Sequence, residues 1–142
     1  MAVYLTFGLF YALFWLFQSG QLIDYAKSYF FLYAQLNHLA MQPWSIFTYM
    51  FFHDGFFHIL FNMLWLYWLG MFLQEYLGNT RVYQAYFLGG LFGGLLYILS
   101  FNIFPVFREH VAVSYALGAS AGVLAVTTAA ATLLPRYTIL LF

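Results

Sequence analysis

Long apolar stretches alternate with short polar punctuation along this chain. The intervals Met1 to Ile23, Gly55 to Gln74, Val82 to Phe107 and His110 to Pro135 contain no acidic or basic side chain apart from histidine. Each approaches the ~20 residues that a helix needs to cross a bilayer. Turn-forming residues fall at their edges: Gly20, Gly78-Asn79, Pro105 and Pro135. The pattern predicts four spans, over about 1-20, 55-74, 82-105 and 113-135. Residues 21–54 are aromatic and apolar but broken by Asn37, His38, Gln42 and Pro43, too polar in the middle to span. They are expected to form an interfacial loop, with Tyr25, Tyr29, Tyr33 and Trp44 at headgroup level and room for a short helix in the membrane plane.

Composition strengthens this picture. Charged residues make up 6% of the 142 positions against about 25% in a soluble domain, and hydrophobic residues 65% against about 45–50%. A quarter of the chain is aromatic and the mean hydropathy is +0.85. Such a surface suits lipid and excludes a soluble globular protein. The expected class is all-α, an integral multi-pass protein of a cell or inner membrane, with the lipid bilayer as its surroundings. Four basic and four acidic residues leave net charge zero, so no nucleic acid partner is implied. The absence of cysteine excludes a disulfide framework and a thiolate nucleophile. No basic leader precedes a small-residue cleavage site, so the opening apolar run reads as a retained span. Basic residues do not orient the protein, because Lys27 and Arg108 fall on one side and Arg81 and Arg136 on the other.

The polar residues inside the spans are few. His58 and Asn62, in His58-Ile59-Leu60-Phe61-Asn62, lie four apart and so share one helix face. By itself such a pair fits interhelical hydrogen bonding as well as function. The expected fourth helix carries Gly118-Ala119-Ser120-Ala121-Gly122, a G-x-S-x-G string. In soluble hydrolases that string marks a strained strand-to-helix elbow, a reading that fails here because the chain offers no parallel sheet. Gly118 and Gly122, continued by Ala125 and Ala129, also form a small-residue face that lets another helix approach while leaving the Ser120 hydroxyl unobstructed. With helix starts near Gly55 and Ser114, His58 and Asn62 lie roughly 5 to 10 Å and Ser120 roughly 9 Å below the same membrane face. A hydroxyl, an imidazole and a carboxamide at one depth are the groups that acyl transfer uses. From spacing alone, His58 is the candidate base for Ser120. The interleaved pairs Gly89/Gly93 and Gly90/Gly94 predict helix packing. His38, His53 and His110 are expected in interfacial or solvated positions. No metal site is predicted, since the histidines lack ligand spacing.

Together, His58-x-x-x-Asn62 on the second span, Trp44 in a long aromatic loop before it, and Gly118-Ala119-Ser120-Ala121-Gly122 near the top of the fourth resemble the rhomboid intramembrane serine proteases. The resemblance covers about residues 44–136. It implies a polytopic transmembrane helix bundle of rhomboid type, with Ser120 as nucleophile and His58 and Asn62 holding the oxyanion together with the Ser120 N–H. It further implies a site opening to the extracytoplasmic face, substrates that are membrane proteins with a transmembrane helix, and no cofactor. In that family the base is a histidine on a sixth span, in an Ala-His-x-x-Gly setting, for which this chain has no counterpart. Ser45 also follows Trp44 where many members have arginine. The expectation is one membrane domain over 1-142, C-terminally incomplete, whose parent is an intramembrane serine endopeptidase and which alone is inactive or very weak. The alternative is a rhomboid-like pseudoprotease that binds client helices without cleavage.

Overall fold

The structure is a computed structural model that describes residues 27–133. The expected first span, about 1-20, and the last residues of the expected fourth lie outside the described residues. Along the described chain run β1 (Leu32–Tyr33), α1 (Leu36–Met41), α2 (Ser45–Thr48), a 3₁₀ turn at Tyr49–Phe51, α3 (Phe56–Leu77), α4 (Asn79–Ile103), a 3₁₀ segment at Pro105–His110, β2 (Tyr115–Ala116) and α5 (Ser120–Leu133). The architecture is mostly helical. Its strands form one antiparallel ribbon in which Leu32 faces Ala116 and Tyr33 faces Tyr115.

Two helices, α3 and α4, are long and apolar enough to cross a membrane. Both leave many large apolar side chains exposed. On α3 the polar Asn62 is buried together with Leu66, Leu69, Gly70 and Leu73, while Phe57, Phe61, Trp65 and Trp68 are exposed. Only 28% of the most apolar window of α3 and 17% of that of α4 is buried, far too little for core helices of a soluble protein. Rings and aliphatic chains can face outward because hydrocarbon, unlike water, imposes no penalty on them, while Asn62 turns inward to a partner. Between the two helices Gly78 takes φ +79°, a left-handed conformation that ends α3 and starts α4 without a longer loop.

Small residues set the packing of α4 on both of its inner sides. A Cβ at Gly93 would stand 2.6 Å from the Ala121 Cβ, and Gly89 meets Ala125 in the same way, so α4 and α5 run antiparallel with their backbones close. The second pair faces a different neighbour. Gly90 receives the Met50 side chain, and a Cβ at Gly94 would come 2.9 Å from Leu32 and 3.1 Å from Tyr49. The helix-packing expectation thus holds for Gly89 and Gly93, whereas Gly90 and Gly94 admit the loop that precedes α3. The Tyr49 hydroxyl fastens that loop by donating to the Gly90 carbonyl at 2.7 Å, and burial pushes the phenol up to about 12.

The final helix departs from its expected start. Rather than beginning near residue 113, α5 begins at Ser120. The preceding residues are drawn into hydrogen bonds with the loop: Ala34 N–H donates to the Ser114 carbonyl at 3.0 Å, β2 pairs with β1, and Gly118 N–H donates to the Tyr49 carbonyl at 2.9 Å. Partners used across the ribbon are unavailable to a helical ladder, and Gly118 at φ +119° breaks any helical path through it. Apolar composition alone does not register this competition.

Candidate active site

The site forms where the loop, the start of α3 and the start of α5 meet. Intrahelical bonding in α5 begins with Val123 N–H to the Ala119 carbonyl at 2.9 Å, so the N–H groups of Ser120, Ala121 and Gly122 have no partner within the helix. Ser120 is therefore the first residue of the helix, at its positive dipole end, and not a turn or more inside it. Its side chain is exposed. Gly118 does not continue the small-residue face of the helix as its spacing suggested. It occupies the turn outside it, while Gly122 serves packing: a Cβ there would come 2.7 Å from both the Tyr86 ring and the Tyr86 carbonyl oxygen.

The turn at Gly118 brings the α3 histidine to the serine. A Cβ added at Gly118 would lie 3.0 Å from His58 Cε1 and Nε2 and 3.8 Å from Ser120 Oγ. The imidazole and the hydroxyl consequently border one small space that only the absence of a side chain at 118 keeps open. Asn62 is buried one turn further along α3 and donates from Nδ2 to the His58 carbonyl at 2.8 Å. That bond occupies one of its two N–H donors and leaves the other. His58 and Ser120 are brought together; Asn62 joins them through α3 and its bond to the His58 backbone.

The local path strand β2, Gly118 turn, helix α5 is also informative. Rejecting the strand-to-helix elbow for want of a parallel sheet holds as far as the sheet is concerned, because the only ribbon among the described residues is antiparallel. Yet the serine does stand at a glycine turn between a strand and a helix, and the two-residue strand is too short to announce itself in the sequence.

His53 is the residue that sequence reasoning missed. It was expected at the interface, but it is only 7% exposed, its Nε2 accepts the Ala119 N–H at 3.1 Å, and its ring meets that of His58 edge-on with centroids 5.0 Å apart. Burial, reinforced by the neighbouring His58, pushes the imidazole down to about 4, so the ring is neutral at physiological pH. The available signal was position: an imidazole that follows the apolar run Tyr49–Phe52, five residues before His58, with the Asp54-Gly55 entry to the span directly after it. The other two histidines lie apart from the site. His38 stacks on Tyr33 with centroids 4.5 Å apart, and His110 lies exposed in the 3₁₀ segment. No cluster of three or more metal-ligating side chains occurs among the described residues.

Comparison with known proteins bears on this arrangement. A sequence model of the Rhomboid domain matches residues 40–142. The chain is 30% identical over 84 residues to inactive RHOMBOID-like protein 8 of Arabidopsis thaliana, covering 59% of this chain and 24% of that protein. It is 39% identical over 61 residues to RHOMBOID-like protein 1 of the same plant, covering 43% and 15% respectively. The matched stretch thus spans less than a quarter of the length of these curated relatives. No solved structure matches the chain. The domain match takes in the end of the loop from residue 40, α3, α4 and the Ser120 turn, and the chain belongs to the rhomboid family of membrane proteins.

Proposed function

We propose that the chain carries the core of an intramembrane serine endopeptidase, a multi-pass protein with the four expected spans, which cleaves membrane protein substrates within or beside a transmembrane helix. The observation that most favours this reading is the space beside Gly118, bounded by the His58 imidazole and the Ser120 hydroxyl at the first turn of α5. A scissile carbonyl entering it would meet Ser120 Oγ as nucleophile. The negative charge that develops on its oxygen would be received by the Ser120 N–H, the His58 imidazole and the remaining N–H of Asn62, dipoles set before the reaction begins. The spacing reading of His58 as base gives way here to the oxyanion role that the family resemblance implies. That resemblance assigns removal of the hydroxyl proton to a histidine on a further span. No metal or cofactor enters the scheme.

The test uses the intact protein in proteoliposomes with a reporter transmembrane helix. Ser120→Ala is expected to abolish cleavage and reaction with a fluorophosphonate while leaving the fold intact; continued turnover overturns the nucleophile assignment. Asn62→Ala is expected to lower kcat by about 10² or more with a smaller change in KM, the signature of a group that acts in the transition state.

A second reading has its own support, since one of the relatives is named an inactive rhomboid-like protein. On that reading the chain belongs to a pseudoprotease that holds client transmembrane helices uncut. An intact protein that captures the reporter helix but is neither labelled by fluorophosphonate nor able to cleave would establish it.

A further inference from the structure

The loop reaches the turn before Ser120 at two consecutive backbone N–H groups. Gly118 donates to the Tyr49 carbonyl at 2.9 Å, and Ala119 donates to His53 Nε2 at 3.1 Å. Any residue at position 49 would supply the first acceptor. The second is a side-chain atom 66 positions away, so the identity of residue 53 matters. An imidazole nitrogen accepts only when unprotonated, which sets His53 as the neutral tautomer with its proton on Nδ1. Desolvation of this 7%-exposed ring favours the same neutral form.

The ring does a second thing at once. It stands edge-on to His58, with centroids 5.0 Å apart and planes at 76°, and so limits where the His58 imidazole can swing. His58 in turn lies against Gly118. The loop, α3 and the start of α5 are therefore tied through one side chain. Without an acceptor for Ala119 N–H, the 118–119 peptide would be free to rotate toward another partner, since a buried backbone donor is costly to leave unmatched. The N–H of Ser120, on the adjoining peptide, would then lose its aim.

We propose that His53 is a positioning residue: by accepting the Ala119 N–H and bracing His58, it orients the Gly118–Ser120 turn so that the Ser120 N–H and hydroxyl and the His58 imidazole address one point. Its consequence for reaction rests on the serine protease reading above; its consequence for the turn does not.

The experiment compares His53→Leu, His53→Gln and His53→Asn in the intact protein, with two readouts: hydrogen exchange of the Ala119 amide by NMR and the rate of fluorophosphonate labelling. Glutamine carries a carbonyl oxygen to about where Nε2 stands, whereas the asparagine oxygen stops near the position of Nδ1. His53→Leu is expected to speed Ala119 exchange about tenfold, the effect of losing one hydrogen bond, and to slow labelling by at least as much. His53→Gln restores both and His53→Asn restores neither. Wild-type Ala119 protection in His53→Leu, or equal rescue by Gln and Asn, overturns the proposal. Should His53→Leu fail to fold, the Gln and Asn pair still decides. An intact protein that is never labelled, yet whose Ala119 exchange follows this order, overturns the protease reading and upholds the role of His53 in the turn.

Discussion

Two entries to helices in this molecule pass through a glycine of nearly the same positive φ and have opposite surroundings. Gly55 leads into α3 at φ +117° and Gly118 leads into α5 at φ +119°. Around Gly55 a Cβ would meet nothing within 4 Å, whereas at Gly118 it would press on His58 at 3.0 Å. The first glycine solves a purely local problem of turning the chain into a span. The second solves the same problem while leaving a space in which an imidazole and a hydroxyl can face a third group. A left-handed glycine before a helix is thus a turn in one place and part of a site in the other, and the difference lies entirely in what the rest of the chain brings up against it.

The sharpest way to break this contrast is Gly118→Ala. The new methyl both strains the left-handed backbone and fills the space between His58 and Ser120. Fluorophosphonate labelling of the intact protein is expected to fall by about 10² or more, and stability by roughly 1–3 kcal/mol. Labelling that survives the substitution would mean that the space beside Gly118 is not where the serine reacts.

Acid should loosen the Gly118 entry next. His53 is neutral in the fold, with its imidazole held from the ordinary 6.5 down to about 4. The unfolded chain therefore binds the proton first on acidification, so this contribution to stability is whole above about pH 6.5 and is lost as pH falls toward 4. The size is on the order of 3 kcal/mol at the acid limit. Denaturant titrations at pH 7.5 and 4.5 are expected to show the loss, and His53→Gln, which cannot titrate, is expected to flatten it. An equally steep pH dependence in His53→Gln would trace the effect to other groups.

Gly55→Ala provides the control for the first substitution. It carries the same backbone strain with no clash, so it is expected to cost about 1–2 kcal/mol in unfolding measurements and to leave labelling unchanged. The smallest effect is expected from Tyr49→Phe. Losing the hydroxyl bond to the Gly90 carbonyl removes about 1 kcal/mol from the loop that backs Gly118, while the Tyr49 carbonyl still accepts the Gly118 N–H. If that change lowers labelling as strongly as Gly118→Ala, the loop contributes more to the serine than backbone support.

How legible these features were depended on the range of the forces behind them. The start and most of the reach of α3, Phe56–Leu77 against the expected 55-74, follow from the charge-free, mostly apolar sequence between Asp54 and Glu75, and its last residues run on to the Gly78 turn. The common face of His58 and Asn62 follows from helical period, and the Nδ2 bond to the His58 carbonyl joins those same two residues. The start of α5 was not legible in the same way. Residues 113–119 are as apolar as many helices, and their diversion into β2 and the Gly118 turn depends on acceptors at Tyr49 and His53. The same distance hid His53, whose loop position suggested an interface and whose burial arises from contact with the far end of the chain. Nor could spacing separate the two glycine pairs of α4, one against Ala121 and Ala125 and the other against Met50 and Leu32.

By itself the sequence determined the solvent and the class of this protein. Its long apolar runs satisfy their backbone polar groups in lipid as helices, each N–H and C=O bonded within its own segment. Tertiary structure alone decided where the serine helix begins, which histidine joins the site and which glycine leaves a space for chemistry. Those outcomes rest on hydrogen bonds and close contacts between segments sixty or more residues apart, and a periodic pattern along the chain carries no record of which distant acceptor a backbone N–H will find.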